Sequence, residues 1–158
     1  MHPRTASFRA QARQEYGFDP AVEEFPEGTE TAADAAAAVG CDVAQIASSL
    51  AFDVDGDLVV SVTSGANRVD EAALGAQFDA PADAVSLADP DRIERVLGWS
   101  IGGVPPFCHD RPVPVVLDET LLAYDTVWAA AGTPDAVFPI DPERLRTLAG
   151  AEAVAVGE

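Results

Sequence analysis

Two glycines and two prolines stand close together in the segment Gly102-Gly103-Val104-Pro105-Pro106-Phe107. Glycine lets backbone N–H groups approach a ligand closely, whereas proline removes donors and stiffens the chain. A loop of this kind is suited to holding an oxyanion or a terminal carbonyl group. A rigid connector between a helix and a strand is the competing interpretation of the same residues.

The loop overlaps a second pattern, because Gly98-Trp99-Ser100-Ile101-Gly102 matches the G-x-S-x-G nucleophile elbow. That motif exposes its serine only on a sharp turn between a strand and a helix. Here a predicted helix precedes the motif, and Pro105 and Pro106 follow it too closely for a helix to begin in the required way. We therefore interpret the match as accidental.

A thiol and an imidazole follow the loop at Cys108 and His109. Neighbours in sequence rarely face one another, so a Cys-His catalytic pair is not favoured. Cys41 is the other cysteine, and these three residues lack the spacing of a zinc site. We expect both cysteines to be free thiols in a reducing compartment. We expect His109 to form a hydrogen bond within its loop, and a role in binding is the alternative.

The clearest signal for the elements around this loop is a hairpin, with apolar runs at residues 46–54 and 58–62 joined by Asp55-Gly56. Asp-Gly supplies the positive φ angles of a type I′ turn. Asp53, Asp55 and Asp57 also suggest a calcium loop. However, an EF-hand needs glycine at its sixth position and glutamate at its twelfth, and Gly56 comes two places too early.

Helices are predicted where a capping residue precedes an amphipathic or alanine-rich run. Thr5 or Ser7 is expected to cap a first helix that ends at Gly17, and Thr31 to cap a second that ends at Gly40. The remaining predictions are helices at residues 69–78, 89–97 and 141–148, strands at 21–25, 113–117, 126–131, 136–139 and 153–156, a turn at 26–28, and a short turn or helix at 121–124. This order predicts an α+β or mixed α/β fold.

Length and charge limit the classes of protein and partner. A chain of 158 residues is expected to form one domain over residues 1–158. It has nine Arg, no Lys and 27 Asp or Glu, which gives a formal charge of −18. The absence of lysine excludes Schiff-base chemistry and a phosphate-loop lysine, and the charge excludes a basic DNA-binding stripe and a polybasic membrane helix.

The acidity resembles that of proteins from salt-adapted organisms. At molar salt the Debye length is about 3 Å, so a polyanion such as RNA would be repelled only at short range. The sequence contains no secretory signal pattern and no run of about 20 apolar residues. We therefore expect a cytoplasmic protein that does not bind membranes or DNA.

Residues 98–109 resemble the glycine-proline loop of the YbaK/ProX family, which contains aminoacyl-tRNA-editing domains that stand alone or are inserted in prolyl-tRNA synthetases. The likeness extends to Ile46-Ala47-Ser48-Ser49-Leu50-Ala51-Phe52, to Ser64-Gly65-Ala66-Asn67-Arg68-Val69-Asp70, and to residues 115–119 and 126–139. It implies a single domain with a curved mixed β-sheet flanked by helices. It also implies hydrolysis of the ester bond of a mischarged aminoacyl-tRNA, with no metal or cofactor.

The resemblance also assigns expected roles. Gly102 and Gly103 would donate backbone amides, and Ser48 stands where the family has its functional lysine. Ser48 and the 102–107 loop would border one concave pocket. The other expected substrate-binding residues are Val104, Pro105, Phe107, His109, Arg68 and Asp118.

Three functions from different classes remain open at this point. The first is an editing deacylase that acts on the 3′-terminal adenosine and small amino acid of an aminoacyl-tRNA, with or without a synthetase as partner. The second is a binding module for tRNA or a small ligand whose catalysis is weakened because Ser48 replaces the lysine. The third is an interaction domain that uses only the fold.

Overall fold

Helices and strands are interspersed along the computed structural model, which describes residues 1–25 and 31–157. The five α-helices of these ranges are α1 Pro3–Tyr16, α2 Ala32–Val39, α3 Glu71–Gln77, α4 Pro90–Leu97 and α5 Pro142–Ala149. The eight strands are β1 Glu23–Glu24, β2 Ile46–Val54, β3 Asp57–Ser64, β4 Val85–Leu87, β5 Val115–Asp118, β6 Val127–Ala130, β7 Ala136–Ile140 and β8 Glu152–Val154. The turn expected at residues 26–28 lies outside the described residues.

The predicted hairpin is present as β2 and β3. Asp55 and Gly56 both have positive φ angles, of 51° and 91°. Asp53 serves this turn rather than calcium: one carboxylate oxygen accepts from the Gly56 N–H at 2.8 Å, and the other pairs with Arg92 at 2.7 Å. The described residues include no group of three or more His, Cys, Asp or Glu side chains that could hold a metal ion.

Local caps set the ends of most helices as expected. The Thr31 hydroxyl accepts from the Asp34 N–H at 3.0 Å, and Gly40 and Gly98 end α2 and α4 in the left-handed conformation. The predicted cap of α1 is wrong. This helix begins earlier, at Pro3, whose fixed φ suits a first helical position, and His2 accepts from the Arg4 N–H at 3.0 Å. Thr5 and Ser7 lie inside the helix.

The sheet has the order β1-β7-β6-β2-β3-β5-β8, and β4 pairs separately with β2. The β2–β6, β3–β5 and β5–β8 pairs are parallel and the others are antiparallel. The predicted mixed α/β fold is therefore confirmed. β4 was not predicted, because three residues give too short a pattern and its pairing with β2 is not local.

The largest hydrophobic cluster joins α1, α4, the 98–108 segment and one face of the sheet. Phe8, Phe107 and Phe138 lie at its centre, with ring centroids 5.2 to 6.0 Å apart. Cys41 and Cys108 form no disulfide, as expected. Among the described helices, none combines the length and the hydropathy that a membrane span requires.

Candidate active site

One edge of β2 is only partly covered by other strands. β6 pairs with Ile46 and Ala47, and β4 pairs with residues 52–54. Between them, residues 48–51 have no strand neighbour on this edge within the described part of the chain. The opposite edge pairs with β3 from Ala47 to Val54. We call the uncovered stretch the β2 notch.

The hydrogen bonds on either side of β2 show which backbone groups face the β2 notch. Gly65 N–H donates to the Ile46 carbonyl at 2.8 Å. The even-numbered residues of β2 therefore turn their backbone N–H and C=O groups toward β3. Ala88 N–H donates to the Ala51 carbonyl at 3.0 Å on the other edge. The N–H and C=O of Ser49 therefore face the β2 notch without a strand partner.

The segment opposite the β2 notch is the glycine loop, residues 98–108. Gly98 ends α4 with φ 83°, and Gly102 has φ 87°. Beyond the loop, Asp110 N–H donates to the Leu97 carbonyl at 3.0 Å, which closes its base. Within it, Gly103 N–H donates to the Ser100 carbonyl at 3.0 Å. The loop is thus a closed, tightly turned structure.

A cavity of about 150 Å³ lies between β2 and the glycine loop. Ser48 and Ser49 line it from the strand, and Gly102 and Val104 line it from the loop. Much of the remaining wall is small and apolar, from Ala32, Ala35, Ala47, Ala51, Ala129 and Ala130. No described charged side chain lines it, although the chain has 36 charged residues (9 Arg and 27 Asp or Glu). The cavity therefore suits a small uncharged group.

This arrangement brings together part of the predicted site. Ser48 and the glycine loop border one cavity, as the resemblance implied, and Gly102 and Val104 are the loop residues that reach it. Gly103 does not line the cavity, and its N–H is already bonded to Ser100. The N–H groups of Gly102 and Val104 have no bonded partner among the described residues. The available amides are therefore those of Gly102 and Val104.

Sequence reasoning missed Ser49. Its hydroxyl oxygen is buried, it has no hydrogen-bond partner within the described chain, and the residue lines the cavity. A buried hydroxyl without a partner is destabilising by about 1–3 kcal/mol, so a ligand or water that bonds to it would be favoured. The sequence could not indicate this, because whether a hydroxyl finds a partner depends on the groups that the fold packs around it.

Three predicted residues support the loop rather than line the cavity. Phe107 packs against Phe8 with ring centroids 5.7 Å apart. The Pro105 carbonyl oxygen is 2.8 Å from Nε2 of His109. In the neutral tautomer protonated at Nε2, the imidazole donates a hydrogen bond to this carbonyl. Burial lowers the pKa of His109 and so favours the neutral ring.

Arg68 and Asp118 lie outside the cavity lining. Arg68 is exposed, and no hydrogen bond or ion pair involves its side chain in the described structure. Asp118 is 1% exposed and accepts hydrogen bonds from the Ser64 N–H at 3.1 Å, from Nδ2 of Asn67 at 2.9 Å and from the Thr120 N–H at 3.0 Å. Asp118 thus fixes the segment that follows β3.

Among the described residues, neither Ser100 nor Cys108 is an activated nucleophile. Ser100 follows the helix α4 and precedes the irregular loop, so the strand–turn–helix context of an elbow is absent. Cys108 is buried, and burial raises the pKa of its thiol to about 12. A thiolate is therefore not available at neutral pH.

This chain matches a family model, a relative and a solved structure. The family model described as "Aminoacyl-tRNA editing domain" matches residues 26–148. The chain is 31% identical over 125 residues to the uncharacterized protein YwhH of Bacillus subtilis (strain 168). The matched segment covers 78% of each protein. A crystal structure of a candidate trans-editing enzyme for prolyl-tRNA synthetase matches with a TM-score of 0.93 and 36% identity, over 100% of this chain and 99% of that one.

A second crystal structure, of the hypothetical protein APE2540, matches with a TM-score of 0.84 and 25% identity over 96% of this chain and 99% of that one. The matched family segment includes β2, the glycine loop and most of the cavity wall. The family model covers most of the chain and the fold matches that of the structural relative, so the chain belongs to the aminoacyl-tRNA editing domain family.

Proposed function

We propose that this chain hydrolyses, in trans, the ester bond that joins a small amino acid to the 3′-terminal adenosine of a mischarged tRNA. The observation that carries the proposal is the cavity between Ser48 and Gly102, whose described lining has no charged side chain, in a chain of the editing family. The aminoacyl ester end of the tRNA carries no negative charge, whereas the phosphates would be disfavoured next to an acidic protein.

The reaction adds water to the ester carbonyl carbon, and the carbonyl oxygen becomes negatively charged in the transition state. The N–H groups of Gly102 and Val104 are the available donors for this oxygen, and preorganised donors of this kind contribute strongly to catalysis. The ester C–O bond then breaks, and the proton from water passes to the ribose oxygen that leaves. The products are the free amino acid and the uncharged tRNA.

The protein supplies no acidic or basic side chain from the described cavity wall. We therefore propose that the adjacent ribose hydroxyl of the substrate relays the proton, so that the chemistry is assisted by the substrate. The family resemblance implies neither a metal nor a cofactor, and the proposed steps use none.

The alanine-rich wall favours a small aminoacyl group, because a larger side chain would need space that a cavity of about 150 Å³ does not provide. The proposed partners are the aminoacyl-tRNA and a synthetase that produces the mischarged species; the structural neighbour is described as a trans-editing enzyme for prolyl-tRNA synthetase. We propose that residues 1–158 act as one editing unit in the cytoplasm, where tRNA is charged.

A second function is favoured by Ser48. This residue lines the cavity, and by the family resemblance it stands at the position of the functional lysine. A short hydroxyl cannot replace a cation that holds a substrate oxygen. The alternative is a module that binds aminoacyl-tRNA or a small ligand and has weak or no hydrolytic activity.

The test is a deacylation assay at high salt with a panel of tRNAs charged with small amino acids. Hydrolysis of one mischarged species supports the enzyme, binding without hydrolysis supports the module, and neither result would indicate an interaction domain. Ala130→Leu should block the cavity from the half-buried end of β6. Ala10→Leu, on the exposed side of α1, is the matched control and should leave the rate unchanged.

A further inference from the structure

Helix α1 lies outside the residues that the family model matches, yet it contacts both ends of the glycine loop. At the first end, Nη1 of Arg4 donates to the Gly98 carbonyl. At the other end, Nε2 of Gln11 donates to the Cys108 carbonyl at 3.4 Å. The same carbonyl accepts from Nε1 of Trp99 at 2.9 Å, so the two ends of the loop are also joined to each other.

Arg4 makes three contacts at the start of the loop. Besides its bond to Gly98, its guanidinium lies 5.9 Å from the ring centre of Trp99, and it pairs with Glu94 of α4 at 3.4 Å. A planar guanidinium can stack and donate several hydrogen bonds at the same time, which an ammonium group cannot do. Arg4 therefore connects α1, the last turn of α4 and the beginning of the glycine loop.

A second path runs from α1 to the tip of the loop. A Cβ atom on Gly132 would lie 2.9 Å from the Arg4 carbonyl oxygen, so the first turn of α1 packs directly on this glycine. Two residues later, Pro134 lines the cavity, and its Cγ would lie 3.4 Å from a Cβ on Gly102. The backbone of α1 thus supports the loop through the 132–134 turn.

We propose that Arg4 is a positioning residue, which holds the glycine loop at the place where the Gly102 and Val104 amides serve the reaction. Arg4 itself does not line the cavity. The inference rests on the proposed function. A displacement of about 1 Å caused by a change far from the chemistry can lower the rate by up to about a hundredfold. The effect should fall on kcat rather than KM, because oxyanion donors act mainly in the transition state.

The test compares Arg4→Met with Arg13→Met. Arg13 is the matched control, since it lies on the same helix, is exposed, and pairs with Asp19 rather than with the loop. Amide hydrogen exchange is measured over residues 98–108, together with kcat and KM for the tRNA that the wild-type protein hydrolyses. Thermal melting shows that each variant is folded. Arg4→Lys is the conservative variant, which keeps the charge but cannot both stack and donate in the same way.

We expect faster exchange of the glycine loop in Arg4→Met only. We also expect kcat to fall about ten- to a hundredfold with KM changed less than about threefold, and Arg4→Lys to recover part of the rate. Unchanged exchange would overturn the inference whether or not the protein is active. Faster exchange with an unchanged kcat would overturn the catalytic part of it. Failure of the wild-type protein to hydrolyse any substrate would instead contradict the proposed function, and the exchange data would still decide whether Arg4 holds the loop.

Discussion

Gly103 packs against Thr133 so closely that a Cβ atom on Gly103 would lie 2.8 Å from Cα of Thr133. It would also lie 2.9 Å from the carbonyl oxygen of Gly132. The glycine loop and the 132–134 turn therefore touch backbone to backbone, although about 30 residues of sequence separate them. Gly103 matters for this contact, while its amide is used inside the loop.

Gly103→Ala should move the loop away from the 132–134 turn. We expect a loss of stability of about 1–3 kcal/mol, because two backbones cannot easily separate to admit a methyl group. Deacylation should fall as well. Urea unfolding and the deacylation rate measure the two effects. Ser100→Ala in the same loop is the control, since its exposed side chain should be dispensable for both; a Gly103→Ala protein as stable and active as wild type would contradict the prediction.

Ser49→Ala should separate stability from activity. Removing a buried hydroxyl that has no partner should leave stability unchanged or raise it by up to about 1 kcal/mol. The rate of deacylation should fall, because the ligand loses a hydrogen-bond partner in the cavity. Thermal melting measures the change in stability, and kcat/KM measures the change in activity. Ser86→Ala, at an exposed position of β4, is the control. A stability loss with normal activity would show that the Ser49 hydroxyl serves the fold.

Ser48→Lys tests whether the serine weakens catalysis. One charge-assisted hydrogen bond to a substrate oxygen is worth about 1.5–3 kcal/mol, which is roughly ten- to a hundredfold in rate if it acts only in the transition state. Ser48→Met provides a chain of similar length without charge and should not raise the rate. If neither variant is faster than an efficient wild type, another group already has this role. Arg68→Ala should be neutral, because Arg68 lies outside the cavity.

His109 should make stability depend on pH below about 6.5. Burial lowers its pKa in the folded protein from the ordinary value of 6.5, so the unfolded chain takes up a proton first as the pH falls. The contribution of His109 is therefore full above pH 6.5 and decreases on acidification. Melting temperatures at several pH values should fall less steeply in His109→Gln than in wild type. A His109→Gln protein whose melting temperature falls as steeply with acidification as that of the wild type would contradict the prediction.

Salt should stabilise the fold. Mutual repulsion within a chain of formal charge −18 is screened as the Debye length falls to about 3 Å at 1 M. We expect the melting temperature to rise steadily from low to molar KCl. A melting temperature that stays constant or falls over this range would argue against an adaptation to a salt-rich cytoplasm.

Features that depend on neighbouring residues could be read from the sequence. The Asp55-Gly56 turn, the Thr31 cap and the glycines that end α2 and α4 all follow from the conformational preferences of one or two residues. The first turn of α1 was placed too late because Thr5 and Ser7 are good caps in isolation, whereas the start was set by Pro3. The three residues of β4 are too few to give a recognisable strand pattern, and the strand is defined by its pairing with β2.

The sequence predicts only part of the site, because the partners of a group depend on residues distant in sequence. The resemblance placed Ser48 and Gly102 together, and the cavity contains both. Ser49 and the free amide of Val104 could not be predicted, because a missing hydrogen-bond partner is a property of the whole sheet and loop. A sequence shows which groups are present, but it does not show which of them the fold leaves unpaired.

The β2 notch also bears on how the molecule avoids associating with copies of itself. An exposed strand edge is a template for pairing with another chain, and such pairing leads to aggregation. Here the uncovered stretch is limited to residues 48–51, with β6 at one end and β4 at the other. A foreign strand would collide with these neighbours before it formed more than a few hydrogen bonds. A short flexible ligand end can enter where a strand cannot, so the opening that we propose for the substrate is too short to pair with another sheet.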